Sequence, residues 1–256
     1  MNNTTTDWIR RFHPAPDAPA QLVCLPHAGG SASFFYGVAE QLAPQLDVLA
    51  VQYPGRQDRR NDPMVDDIDE LADRITDELV PTMDRPTALF GHSMGATLAF
   101  EVAKRLVRRG VPPLCLFVSG RRAPSRHRPE TRHLLPANEL VDEIKAVGGT
   151  DARLLDDDEL MDVVLPVLRN DYRAIETNEY VPSAKLPCPV FAMIGDDDPM
   201  ADDEDTAAWG EHTTGLFEMR TFPGGHFYLT AHATTVTALM LERITAMVTG
   251  RPIRTH

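Results

Sequence analysis

The chain is poor in lysine and cysteine and has no long apolar run. Only Lys104, Lys145 and Lys185 among its 25 basic residues are lysines. Those 25 are outnumbered by 38 acidic residues, leaving a net charge of −13. Phosphate neutralisation supplies most of the affinity for duplex nucleic acid, so a nucleic-acid partner is not expected. The same charge disfavours anionic membrane surfaces. Cys24, Cys115 and Cys188 each sit in an apolar run, LVCLP, LCLFV and PCPVFAMIG. Three buried free thiols are therefore expected. No C-x-x-C or Cys/His spacing suggests zinc, and no EF-hand spacing suggests calcium. No run approaches the roughly 18 apolar residues of a membrane span. The N-terminal MNNTTTDWIRRFHP lacks the apolar stretch of a signal peptide. A cytoplasmic protein is expected, without repeats or low-complexity segments.

What is present is an ordinary globular composition, 43% hydrophobic and 25% charged over 256 residues. At about 150 residues per domain, one domain spanning 1–256 is the natural reading. Short apolar runs at Leu22–Leu25, Val48–Val51, Ala88–Phe90, Leu114–Val118, Val190–Ile194 and Leu216–Phe222 read as strands. Helical patterns lie between them, at Phe34–Leu42, Asp67–Met83, Gly95–Arg109 and Phe227–Val248. Such alternation predicts a mostly parallel sheet with helices on both faces. From Ala123 to Lys185 the alternation stops. Three helical patterns fill that stretch, Ala137–Ala146, Asp158–Leu168 and Asn170–Tyr180. An insertion this long is usually functional, and a helical lid over 123–185 is expected. The acidic clusters Asp156–Glu159 and Asp202–Asp205 read as helix N-terminal turns. Met161, Met193 and Met200 read as core residues sooner than as an acyl channel.

The sharpest feature is Gly91-His92-Ser93-Met94-Gly95, set between a strand pattern and a helix pattern. With 16 glycines, about 0.02 chance occurrences of G-x-S-x-G are expected in the whole chain. The flanking small residues allow a sharp turn that exposes the serine at the helix N-terminus. A serine hydroxyl needs a base, and this turn type takes its partners in the order Ser, then Asp or Glu, then His. His226 follows the last strand in Pro223-Gly224-Gly225-His226 and is the candidate base. His212 and His232 read as surface helix residues, and His256 as tail. Gly195-Asp196-Asp197-Asp198 follows the preceding strand and supplies the acid. Asp198 is preferred there, with Asp196 as runner-up. The oxyanion donors expected are the N–H of Met94 and the N–H of Ala28, in the Pro26-His27-Ala28-Gly29-Gly30 loop.

LPHAGG, YPGR, GHSMGA, GDDDP and GGHFYL occur in this order. Together they resemble the stand-alone type II thioesterases of polyketide synthase and nonribosomal peptide synthetase clusters. The likeness runs from about Leu22 to the C-terminal helix. The segment Leu168-Arg169-Asn170-Asp171-Tyr172-Arg173 is similar to the lid of that family. The resemblance implies an α/β-hydrolase fold and a carrier-editing hydrolase. The substrate implied is an aberrant acyl group on the phosphopantetheine arm of an acyl or peptidyl carrier protein. It carries the nucleophile onto Ser93, the base onto His226, the acid onto Asp198 and the oxyanion donors onto Met94 and Ala28. No cofactor or metal is implied, and no feature calls for more than a monomer.

One stretch goes beyond these motifs. Residues 121–132, RRAPSRHRPETR, hold Arg121, Arg122, Arg126, Arg128 and Arg132 against Glu130 alone. They begin at the carboxyl end of a core strand, the ligand side of such a sheet. Arg121, Arg122, Arg126 and Arg128 are therefore expected to dock the carrier or its phosphate. The competing readings are an oxygen-ester hydrolase or an acyltransferase on the same fold, and a non-catalytic carrier-binding scaffold.

Overall fold

The computed structural model describes residues 7–148 and 158–253. A seven-stranded sheet runs in the order β1-β3-β2-β4-β5-β6-β7. The strands are β1 (Ile9–Arg10), β2 (Gln21–Leu25), β3 (Asp47–Val51), β4 (Thr87–His92), β5 (Leu116–Ser119), β6 (Val190–Gly195) and β7 (Phe217–Phe222). All pairings are parallel except β1 with β3, where Ile9 faces Val51. The six expected strands are present within two residues at either end. β1 was not expected: two residues inside a polar, arginine-rich leader carry no periodicity.

Each central strand is buried on both faces. Along β2, Leu22 and Cys24 pack to one side while Val23 and Leu25 pack to the other. β4 repeats the pattern, with Ala88 and Phe90 opposite Leu89. Burying one such large side chain stabilises by about 1.5–3 kcal/mol, which is why the runs tolerate so few polar residues. One face is covered by α2 (Ile68–Leu79) and α3 (Met94–Arg108), the other by α1 (Tyr36–Leu42) and the C-terminal helices. In α2, Ile68, Leu71, Ala72, Ile75 and Leu79 are buried, and the Asp67 carboxylate caps the Glu70 N–H. Such a cap is worth about 1 kcal/mol. Cys24, Cys115 and Cys188 are free and buried. Among the described residues, no helix is long and apolar enough to cross a membrane.

Between β5 and β6 the chain forms α4 (Ala137–Val147) and α5 (Asp158–Glu176). Leu140, Ile144, Met161 and Leu168 pack together there, apart from the two sheet cores. Asp158–Leu168 and Asn170–Tyr180, expected as two helices, form one that ends at Glu176. Asn170 and Asp171 do not interrupt it because tertiary partners occupy their side chains. Asn170 donates to the Val65 carbonyl, and Asp171 meets Arg56. Neither competes with the helix backbone. After β6 comes α6 (Asp203–Ala207), capped by Asp202 as expected. The companion cluster begins at Asp156 and Asp157, which lie outside the described residues. The closing helix is broken at His232 into α7 (Tyr228–Ala231) and α8 (Ala233–Thr249).

The strand order places the site. The chain leaves β2 toward β3, then returns past β2 to β4. The loops after β2 and β4 thus diverge at the carboxyl edge, where open parallel sheets leave a crevice. The loops after β6 and β7 reach the same edge.

Candidate active site

Ser93 occupies the turn from β4 into α3 with φ 56° and ψ −120°. A non-glycine residue there is strained, and the surroundings must hold it. Its own N–H is held by the Ser119 carbonyl at 2.8 Å. The flanking glycines are dictated by close approach. A Cβ on Gly95 would lie 2.0 Å from the Leu25 carbonyl oxygen, and one on Gly91 would lie 2.0 Å from the Gly95 oxygen. Met94 opens α3, so its N–H has no acceptor within the helix.

Across the crevice lies the Pro26–Gly30 loop. Gly29 N–H donates to Asp171 Oδ2 at 2.8 Å and Gly30 N–H to the His27 carbonyl at 2.9 Å. Those two amides are committed, and Ala28 lines the same pocket as Ser93.

The acidic turn after β6 is zipped to the glycine loop after β7. Asp196 Oδ1 accepts the Gly224 N–H at 2.8 Å, and Asp197 N–H donates to the Gly224 carbonyl at 3.0 Å. Asp198 is left to meet His226: Nδ1 stands 3.0 Å from both carboxylate oxygens. The two side chains are 3% and 0% exposed. In the tautomer that donates Nδ1–H to the carboxylate, the neutral ring presents its lone pair at Nε2. Asp198 Oδ1 also accepts the Met200 N–H at 2.8 Å.

Ser93 and His226 line one pocket, together with His27, Ala28 and Phe227. Its outer wall is apolar and comes from α4 and α5, including Ile144, Val164, Leu168 and Tyr172. Met200 is part of this wall, whereas Met193 belongs to the core and Met161 to the α4–α5 cluster.

Two further histidines crowd the base. His92 lies 4.8 Å from the His226 ring, and His27 lies 5.9 Å from His92. Burial pushes His27 down to about 3, helped by the charges of His226 and Arg56. His92 is likewise held well below its ordinary value, first by burial and then by His226 and His27. Both are thereby held toward the neutral form. The polar end of His92 is met by Ser119 Oγ at 3.0 Å, which in turn meets the Tyr228 hydroxyl at 2.6 Å. The sequence reading passed over His92 as the variable position of G-x-S-x-G.

A family model described as "Thioesterase domain" matches residues 20–245. The chain belongs to the thioesterase family. Thioesterase PikA5 of Streptomyces venezuelae is 52% identical over 224 residues, covering 87% of this chain and 80% of the relative. A "probable cadicidin biosynthesis thioesterase" of Streptomyces griseus is 49% identical over 231 residues, 90% of this chain. This chain spans 64% of that relative's length. The solved type II thioesterase BorB, from the borrelidin biosynthetic cluster, is 51% identical with a TM-score of 0.89. That match covers 95% of this chain and 100% of BorB.

The thioesterase differs from the sequence reading at two places near the site. His212, read as a surface helix residue, is only 5% exposed. It ends a short 3-10 turn, with its ring against Phe100, Tyr180 and Trp209 and Nε2 3.0 Å from Ser125 Oγ. Burial lowers its pKa. His232 is half-buried at the α7–α8 junction, beside the Pro223 carbonyl. His256 lies outside the described residues.

The basic run is largely neutralised in three dimensions. Arg122 is buried against Glu130 at 2.7 Å and also donates to the Met200 carbonyl. Arg126 pairs with Glu211 at 2.7 Å and Arg128 with Asp205 at 2.5 Å. Arg132 meets Glu130 and Glu143, both at 3.0 Å. Arg121 has no ion-pair partner among the described residues. Burial, with Arg122 beside it, pushes its guanidinium down to about 10. It lines a second cleft with His127, Arg128 and Tyr180.

Proposed function

We propose that this thioesterase clears aberrant or stalled acyl groups from the phosphopantetheine arm of acyl or peptidyl carrier proteins in the cytoplasm. The observation that carries this reading is the common pocket. Ser93 and His226 line it, with Asp198 buried behind the His226 ring, and much of its remaining wall is an apolar surface fit for an acyl chain. His226 Nε2 takes the Ser93 proton as Oγ attacks the thioester carbonyl. The N–H groups of Met94 and Ala28 hold the resulting oxyanion. The pantetheine sulfur leaves with the proton from His226. Water, activated by the same histidine, then hydrolyses the acyl-serine. In this reading the chain is one domain over 1–256, and the helical segment 123–185 is a lid. The enzyme acts as a monomer and meets its carrier transiently.

Intact-protein mass spectrometry of acyl-carriers tests the proposal. Wild type should remove the acyl mass and leave the pantetheine arm in place, and Ser93→Ala should leave both. An unchanged carrier beside turnover of soluble esters would transfer the enzyme to the ester-hydrolase class.

Within this proposal, docking falls to Arg121, Arg126 and Arg128. Arg122 is spent internally. Exposed ion pairs are worth only about 0–1 kcal/mol, so Arg126 can exchange Glu211 for an acid of a carrier, while the half-exposed Arg128 meets one without leaving the buried Asp205. Arg121→Gln should raise KM for an acyl-carrier several-fold and leave a small acyl thioester unaffected. Equal effects on both substrates would remove Arg121 from docking.

A further inference from the structure

Two motifs have no part in the chemistry above, Tyr53-Pro54-Gly55-Arg56 and the Asp171 segment of α5. They lie 115 residues apart and join in one buried unit. Arg56 Nη1 and Nη2 donate to Asp171 Oδ2 at 2.6 Å and Oδ1 at 2.9 Å. The side chains are 7% and 1% exposed. The pair does not stand alone. Asp171 Oδ2 also accepts the Gly29 N–H at 2.8 Å, and Arg56 Nη1 also donates to the Gly30 carbonyl at 3.2 Å. The loop is held on its other side by the Tyr53 hydroxyl, which donates to the Pro26 carbonyl at 3.1 Å. Gln52 Oε1 accepts the Ala32 N–H at 2.8 Å. Ala28 therefore sits in a short span clamped at both ends.

We infer that Asp171 is a positioning residue: by anchoring Gly29 it aims the Ala28 N–H at the oxyanion formed on Ser93. The inference rests on the proposed role of Ala28 and extends it. Stability alone is a poor account of the arrangement. Burying two charges costs desolvation, and a well-packed apolar pair commonly serves the fold as well or better. What an apolar pair cannot do is accept the Gly29 N–H. Gly29 has φ +74°, and a Cβ there would lie 2.5 Å from Leu168 Cδ2. The loop thus runs tightly beneath α5, and the helix that walls the pocket also sets the loop. An amide displaced by about 1 Å forfeits much of its transition-state stabilisation, by as much as 100-fold.

The test compares wild type with Asp171→Ala, which removes the acceptor of the Gly29 N–H, and with the double variant Arg56→Met/Asp171→Leu. The double variant leaves no buried charge unpaired and, though it orphans the Gly29 N–H, should stay folded, so it carries the test if Asp171→Ala unfolds. Both variants should lose about 10- to 100-fold in kcat on an acyl-N-acetylcysteamine thioester, with KM within about twofold. The rate at which a fluorophosphonate labels Ser93 should fall in parallel, because its phosphoryl oxygen uses the same donors. A folded double variant with wild-type kcat and labelling rate would overturn the inference, as would a change in KM alone. Slowed labelling in both variants, beside a wild type inert toward every thioester, would support the positioning role and sink the carrier proposal instead.

Discussion

Ser93→Ala should lower kcat on an acyl thioester by about a million-fold, equivalent to ~8 kcal/mol of transition-state stabilisation. Every covalent step of the proposed mechanism passes through its Oγ, so no other side chain can substitute. The residual rate should be that of water attacking a carbonyl polarised by Ala28 and Met94, about 10³–10⁴ above the uncatalysed reaction. The fold should not suffer. The Ser93 hydroxyl makes no capping bond to α3, so its removal costs the helix no cap. Alanine also bears the same backbone strain at φ 56° as serine does. Single-turnover kinetics and thermal unfolding, run together, check both halves. Wild-type turnover in Ser93→Ala would end its assignment as nucleophile, and a collapsed thermal midpoint would mean the elbow depends on the hydroxyl.

Asp198→Asn should cost about four orders of magnitude in kcat while leaving the protein folded. The carboxylate does two things at once: it accepts the Met200 N–H and the His226 Nδ1–H. An asparagine keeps its carbonyl oxygen on Met200 and turns its NH₂ toward Nδ1. His226 then carries its proton on Nε2, where it cannot accept one from Ser93. Asp196→Asn is the control. Among the described residues Asp196 accepts only the exposed Gly224 N–H, which an amide oxygen can also accept, so activity should stay within severalfold. If Asp198→Asn retains wild-type kcat, the orienting role passes to Asp196 or Asp197.

Much of the fold was legible because its rules are local. Uninterrupted apolar runs such as LVCL and PVFAMI mark strands buried on both faces. The glycines around Ser93 mark a turn too tight for any Cβ. The order Ser93, Asp198, His226 along the chain follows from parallel strands that all end at one edge. Choosing Asp198 over Asp196 needed more, since both share one acidic turn. The geometry separates them: Asp196 goes to a backbone amide and Asp198 to the His226 ring.

Long-range pairing was not legible, because it depends on which surfaces meet after the helices pack. A count of charges along residues 121–132 shows a basic patch. Acids brought in from Glu143, Asp205 and Glu211 neutralise most of it. His212 carries no local mark of burial, yet Phe100 and Tyr180 converge on it from two other segments and Trp209 from its own turn. The bond between Gly29 and Asp171 spans 142 residues, and no periodicity relates such positions. The sequence alone determined six of the strands, the tight turn at Ser93 and the kind of enzyme, because each is written within a few neighbouring residues. Tertiary structure alone decided what clamps the Ala28 loop, which acids the arginines pair with and which histidines are buried. Those outcomes depend on burial and on partners that only folding brings within hydrogen-bonding distance.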